Sequence, residues 1–191
     1  PVTVEVDLAP GLPGLQLVGL ADTAIQESRE RVRAALRNSG FRGPLVKVVV
    51  NLAPADLRKE GPCFDLPIAL GLLIASGQLD SPCLKGLWSA GELGLDGRLR
   101  PCRGILAIAC LAKSMGARGL LVAAEDAAEA ALVRGLRVTA AASLKELVNR
   151  LRAGDLVQTA ARAQQQTPRD QCAAAEPTTA AHLLNLPAQH L

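Results

Sequence analysis

The sequence has 191 residues, 49% of them apolar, with one Trp, two Phe and no Tyr, so Leu, Val, Ile and Ala must fill the core, and aromatic stacking platforms for single-stranded nucleic acid are all but excluded. The net charge of +3 is interspersed rather than blocked, and 16 of the 21 basic residues are Arg, which suits forked contacts with carboxylate or phosphate. Both histidines, His182 and His190, fall at the far end of the sequence, so a Ser-His-Asp triad, a Cys-His pair and a His-bearing zinc site are excluded from the rest of it.

Residues 2–8, VTVEVDL, alternate apolar and polar and read as a half-buried strand. Pro10, Gly11, Pro13 and Gly14 make a turn before a second strand, LQLVGL. A helix follows, with Thr23 and Gln26 as a capping box and Gly40 as its stop. Ile25, Val32 and Leu36 share one face of it, while Arg29, Arg33 and Arg37 form a neighbouring stripe. VKVVVNL, residues 46–52, is apolar enough for a central strand. The loop APADLRKEGPCF then leads to a helix that starts near Asp65, with Pro67 in its first turn. That helix is apolar nearly all round, which predicts burial. Trp88–Leu93 and Leu95–Leu99 flank Asp96-Gly97, a hairpin signal. Helix (Ile105–Met115), strand (Gly119–Val122), helix (Glu125–Val133), strand (Leu136–Thr139) and helix (Ser143–Leu151) then alternate, which predicts parallel strand pairs.

Beyond Gly154 the composition turns to Ala, Gln and Thr, which reads as a disordered low-complexity tail over 154–191 with a short helical piece near His182–Leu186. Five cysteines (Cys63, Cys83, Cys102, Cys110, Cys172) without C-x-x-C spacing, and no signal peptide, predict reduced thiols in a cytoplasmic setting. The longest apolar run, Leu66–Ser76, is too short to span a bilayer, so no membrane partner is expected.

Three stretches carry a resemblance: GLADTAIQESRERVRAALRNSGF, VNLAPADLRKEGPCFDLPIALGLLIASGQL and GELGLDGRLRPCRGILAIACLAKSMGARGLLV. In this order and spacing they resemble the amino-terminal domain of the ComM/YifB family, magnesium-chelatase-like bacterial AAA+ ATPases. The resemblance covers residues 2–152 and implies a mixed α/β fold of the ribosomal-protein-S5-domain-2-like kind shared with the Lon protease domain, here residues 1–153. It also implies that a first strand ahead of Val2 is missing. The family is associated with DNA processing, including branch migration in natural transformation, as a hexamer built around an AAA+ motor. DNA, such a motor and sister subunits are therefore the implied partners. The phosphate-cradling G-x-x-x-x-G-K-[ST] loop does not occur, and the Gly-rich turns at Gly11–Gly14 and Gly91–Gly97 lack its Lys. ATP and Mg thus belong to the family's motor, and no cofactor is expected for this chain.

The resemblance also points to a degenerate nucleophile position. In Lon-type proteases a Gly-Pro-Ser opens the equivalent helix, and here Gly61-Pro62-Cys63 stands in its place. A thiol at a helix start can be activated, but a nucleophile needs a base. The Lys that Lon uses falls near Leu106 in this register, where none is present; Lys113 lies two turns on. The alternative to an accessory domain is therefore a Lon-like peptidase with Cys63 as nucleophile, or a truncated product without activity of its own. Candidate contacts for DNA or a partner are the Arg29, Arg33, Arg37 stripe, whose guanidinium groups can reach successive phosphates, and Arg58 with Lys59 in the loop. Arg31 is placed elsewhere on the helix. Asp126 and Glu129 read as first-turn carboxylates favouring their own helix dipole.

Overall fold

A computed structural model describes residues 1–43 and 45–155, together with the backbone of residues 184 and 185. The alternating residues of β1 (Val2–Ala9) bury Val2 and Val4 and leave Thr3, Glu5 and Asp7 on the other side. Strands β2 (Gly14–Val18) and β3 (Lys47–Ala53) extend this half of the sheet. β3 runs antiparallel to β1, with Val6 opposite Val50, and parallel to β2, with Leu15 opposite Val48. Between β2 and β3 lies α1 (Thr23–Asn38), whose buried stripe is Ile25, Ser28, Val32, Ala35 and Leu36. Its N-cap is Asp22 rather than Thr23: the Asp22 carboxylate accepts from Ile25 N at 2.8 Å, so the Thr23–Gln26 capping box does not form. The turn into α1 needs glycine at position 19, where φ is +102° and a Cβ would stand 2.3 Å from the Leu52 carbonyl oxygen.

A 3₁₀ turn at Pro62–Phe64 leads into α2 (Asp65–Ala75), buried from Asp65 to Leu73 as its composition predicts. Strand β4 (Leu87–Ser89) belongs to the main sheet, whereas β5 (Glu92–Leu93) and β6 (Leu99–Arg100) form a separate antiparallel ribbon. The expected hairpin around Asp96-Gly97 is present, but the expected strand Trp88–Leu93 is divided between the two sheets. The chain turns at Ala90-Gly91, where Gly91 exchanges backbone bonds with Cys63 and Leu66 instead of continuing the ladder. Then come α3 (Ile105–Ser114), β7 (Gly119–Ala123), α4 (Ala127–Ala130), β8 (Val138–Ala141) and α5 (Leu144–Ala153). α4 is shorter than its expected span because the Ala124–Asp126 stretch forms a 3₁₀ turn. β8 starts at Val138, with Leu136 and Arg137 ahead of it. α5 is capped by Ser143, whose side chain accepts from Glu146 N.

A further strand, β9 (Leu184–Asn185), lies between β1 and β4, giving the order β2-β3-β1-β9-β4-β7-β8. The two residues are thus extended, not part of the helical piece expected near His182–Leu186; an extended peptide there finds backbone partners on both sides, parallel to β1 and antiparallel to β4. The rest of the expected tail lies outside the described residues. The alternation of helices and strands gives the expected parallel pairs, β4 with β7 and β7 with β8.

The sheet separates two apolar clusters. Leu121 and Ala123 of β7 face the larger one, with α1, α2 and α5; Leu120 and Val122 face the smaller one, with α3 and α4. The mixed sheet packed with helices agrees with the expected fold class. In the β2-β3-β1 half the larger cluster takes one face, and on the other Asn51 donates to the Glu5 carboxylate at 2.7 Å.

Candidate functional site

Lys59 and Cys63, two of the residues singled out by the sequence, lie where the loop after β3 crosses α1 and enters α2. Asp22 organises the crossing: one carboxylate oxygen caps α1, and the other accepts from Gly61 N at 3.0 Å. Backbone bonds from Lys59 N to Leu20 O and from Asp22 N to Lys59 O, both 3.1 Å, pin the loop alongside the entry to α1.

Lys59 corrects the expectation of a surface contact. Its side chain is fully buried and its ammonium donates to the Pro54 carbonyl oxygen. Burial holds its pKa below the usual lysine value, against the weaker pull of Asp56. Arg58 does lie at the surface, paired with Glu60 at 3.1 Å.

Asp65 is the buried charge of the site. It does not cap its own helix, as its position suggests; its carboxylate is wholly engaged elsewhere. One oxygen accepts from Ser28 Oγ and from an Arg31 terminal nitrogen at 3.1 Å. The other accepts from Arg31 Nε at 2.6 Å and from Leu93 N at 3.1 Å. Arg31 is further held by the Ala24 carbonyl at 2.9 Å and by Glu27 at 3.6 Å. Its hydrogen bond to Asp65 raises its pKa above the usual value, against the opposing effect of burial. Sequence reasoning set Arg31 apart from the stripe without giving it a role. The usable signal was Asp65 itself, a carboxylate at the start of a helix apolar on every face, which demands a cation.

Cys63 sits in the 3₁₀ turn just before Asp65, packed against both apolar clusters. Burial pushes its thiol up to about 12, and the negative charges of Asp65 and Asp22 push the same way. The thiolate, the reactive form, is therefore suppressed at neutral pH. Leu106, the position to which the resemblance points for a base, is on α3: its N donates to Glu129 at 3.2 Å, and Lys113, at the far end of that helix, donates to the Gly135 carbonyl at 3.0 Å. Glu129 thus supplies the start of α3 with an acceptor, and Asp126 accepts from Cys102 N at 2.9 Å. These two carboxylates tie neighbouring elements together rather than serving only their own helix. Burial raises the Asp126 pKa, partly offset by the Cys102 hydrogen bond.

The Arg29, Arg33, Arg37 stripe lies exposed along α1 as expected. Arg29 Nε donates back to the Gln26 carbonyl at 3.0 Å, and Arg33 lies 3.9 Å from Glu30. The stripe thus lies on a different face of α1 from the Cys63–Asp65 cluster, and Arg31, alone among the arginines of this helix, joins Ser28 in turning toward the cluster. Among the described residues, no group of three or more His, Cys, Asp or Glu is placed to hold a metal ion, and no helix is long and apolar enough to cross a membrane.

Comparison with known proteins bears on this arrangement. Residues 4–126 match the family model described as subunit ChlI of Mg-chelatase. The chain is 49% identical over 133 residues to the uncharacterized protein YifB of Salmonella typhimurium, covering 70% of this chain and 26% of that one. It is 46% identical over 147 residues to the competence protein ComM of Haemophilus influenzae, covering 77% and 29%. An uncharacterized protein of Mycobacterium tuberculosis is 42% identical over 151 residues, covering 79% and 30%. The chain therefore spans less than a third of the length of these relatives.

Proposed function

Because this chain belongs to the ChlI family of magnesium-chelatase-like proteins, together with ComM and YifB, we propose that it is a non-catalytic accessory domain of a ComM/YifB-type AAA+ DNA-processing ATPase. Its work on this reading is to assemble with a motor domain and sister subunits and to contact nucleic acid. The observation that carries the reading is the state of Cys63: the thiol at the nucleophile-like position is only half-exposed and is pushed up to about 12, and the carboxylate beside it is taken up by Ser28, Arg31 and Leu93. The side chains there hold neighbouring elements together, which supports a structural role. The relatives extend well beyond the aligned part, which leaves room in them for the motor and for its ATP and Mg. The name competence protein, carried by one relative, supports the DNA side of the reading. The exposed Arg29, Arg33, Arg37 stripe is the first candidate surface for that contact.

The test is a paired assay on the purified chain. No ATP hydrolysis and no cleavage of unstructured peptides are expected, with iodoacetamide labelling Cys63 no faster than Cys83 or Cys110. Peptide cleavage that disappears in Cys63→Ala would overturn the reading in favour of a Lon-like peptidase. ATP turnover by the pure chain would overturn it as well.

A further inference from the structure

Away from Cys63, a second basic surface forms where three separate segments meet. β7 and β8 are parallel neighbours with Leu120 opposite Val138, so Arg118 and Arg137 both precede their strands at the same edge of the sheet. Neighbouring strands lie about 4.8 Å apart, which brings the two side chains onto one rim. Their backbones are fixed: Arg118 N donates to Gly86 O and Leu120 N to Arg137 O, each at 2.8 Å. The end of α5 supplies the third cation. Arg152 donates to the Gln78 carbonyl at 2.6 Å and lies over the Phe41 ring, 5.8 Å from its centre. Between these three and Pro82–Cys83 runs an open groove of about 510 Å³, and none of the described residues that line it is acidic.

Arg31, Arg33, Arg58, Arg98, Arg100 and Arg150 each have a carboxylate within ion-pair distance, whereas among the described residues Arg118, Arg137 and Arg152 have none. Asp80 and Asp155 flank the groove in sequence but pair with none of the three.

We propose that this groove holds the phosphodiester backbone of a nucleic-acid strand, as a contact separate from the α1 stripe. The inference rests on the accessory-domain reading and gives it a second surface. Forked guanidinium groups match phosphate oxygens bidentately. The α5 end bordering the groove is a C-terminus, which presents carbonyls rather than N–H groups. A compact phosphate seated on backbone amides therefore finds no cradle there, while a strand lying across the groove meets the three side chains. Phe41 is already covered by Arg152, so the contact is to backbone, without base stacking and without sequence preference.

The experiment is fluorescence anisotropy of the full chain with a labelled single strand and a matched duplex across a salt series. Each phosphate contact adds about 0.7 to the logarithmic salt slope for a single strand. Replacing Arg118, Arg137 and Arg152 with Ala should therefore lower that slope by about 2. An Arg118→Glu/Arg137→Glu double variant, altered only at exposed side chains, should bind more weakly than the Ala variant while keeping the circular dichroism of the parent.

Two results overturn the inference: an unchanged slope in these variants, which leaves the accessory reading and its α1 stripe standing, or no binding to either DNA form at low salt, which also removes the nucleic-acid contact from that reading but not its non-catalytic part. That reading is judged separately by the ATP and peptide assays. Displacement of the strand by pyrophosphate or polyglutamate at equal charge would assign the groove to a small phosphate or an acidic peptide and overturn the strand assignment.

Discussion

Replacing Arg31 with Met should destabilise the domain far more than a surface ion pair would suggest. The Asp65 side chain is fully buried, and Arg31 supplies two of its four contacts, the shorter at 2.6 Å. Removing the guanidinium leaves the charge with Ser28 and Leu93 N alone. Breaking a buried pair by deleting one partner costs about 3–5 kcal/mol. In a domain of this size each kcal/mol moves the melting temperature by about 2–4 °C, so a loss of roughly 10 °C is expected. The assay is thermal and urea unfolding of Arg31→Met, Asp65→Asn and the double variant. Because the double variant removes the abandoned charge, it should be more stable than Arg31→Met alone. Strictly additive costs, or a loss below about 1 kcal/mol for Arg31→Met, would refute the assignment of Asp65 as a buried charge held by Arg31.

Three further outcomes are expected. Cys63 is raised from an ordinary 9.0 to about 12, so the folded state holds a proton that the unfolded state releases. Its contribution to stability is complete below about pH 9 and is lost as pH rises toward 12. Urea midpoints from about pH 8 to about pH 11 should accordingly fall less steeply in Cys63→Ser than in the parent. Lys59→Met keeps the buried stem volume and should change stability by less than about 1.5 kcal/mol. Lys59→Ala opens a cavity and should cost about 2–5 kcal/mol, read by the same unfolding curves. Gly19→Ala, placed at φ +102° with its methyl 2.3 Å from a carbonyl oxygen, should cost at least about 3 kcal/mol in melting analysis.

The elements governed by local pattern were legible in the sequence. α1, α2, α3 and α5 follow from apolar spacing, β1 and β3 from alternation or continuous apolar runs, and the hairpin from Asp96-Gly97. Positions decided by a distant partner were less legible. Lys59 sits in a charged loop, LRKE, that looks solvated, and only the packing of that loop beside the entry to α1 turns it inward. Arg31 looks like its exposed neighbours on α1, yet it faces Asp65 across a helix contact. Two of the groove arginines, Arg118 and Arg137, occur in separate stretches, GARGLL and RGLRVT. Only the order of strands in the sheet brings them together. The extended pair Leu184–Asn185 lies in a stretch of low complexity, where no periodicity signals a strand.

The β5–β6 ribbon also behaves as a strut. At its base Leu93 N is fastened to Asp65, itself fastened to α1. At its tip Asn38 of α1 donates to Leu95 O at 2.6 Å, and Gly97, at φ +85°, fits against Ser39, where a Cβ would collide. From the same tip, Gly97 O accepts from Leu144 N and Leu99 N donates to Ala142 O, so the ribbon is also bolted to the start of α5. A load applied to the arginine stripe of α1 thus has a stiff route to the helix that ends in the groove, independent of the sheet. Sliding α1 against α5 requires these fastenings to shear together, so the amides of Leu93, Leu99 and Leu144 should exchange with solvent as one slow group.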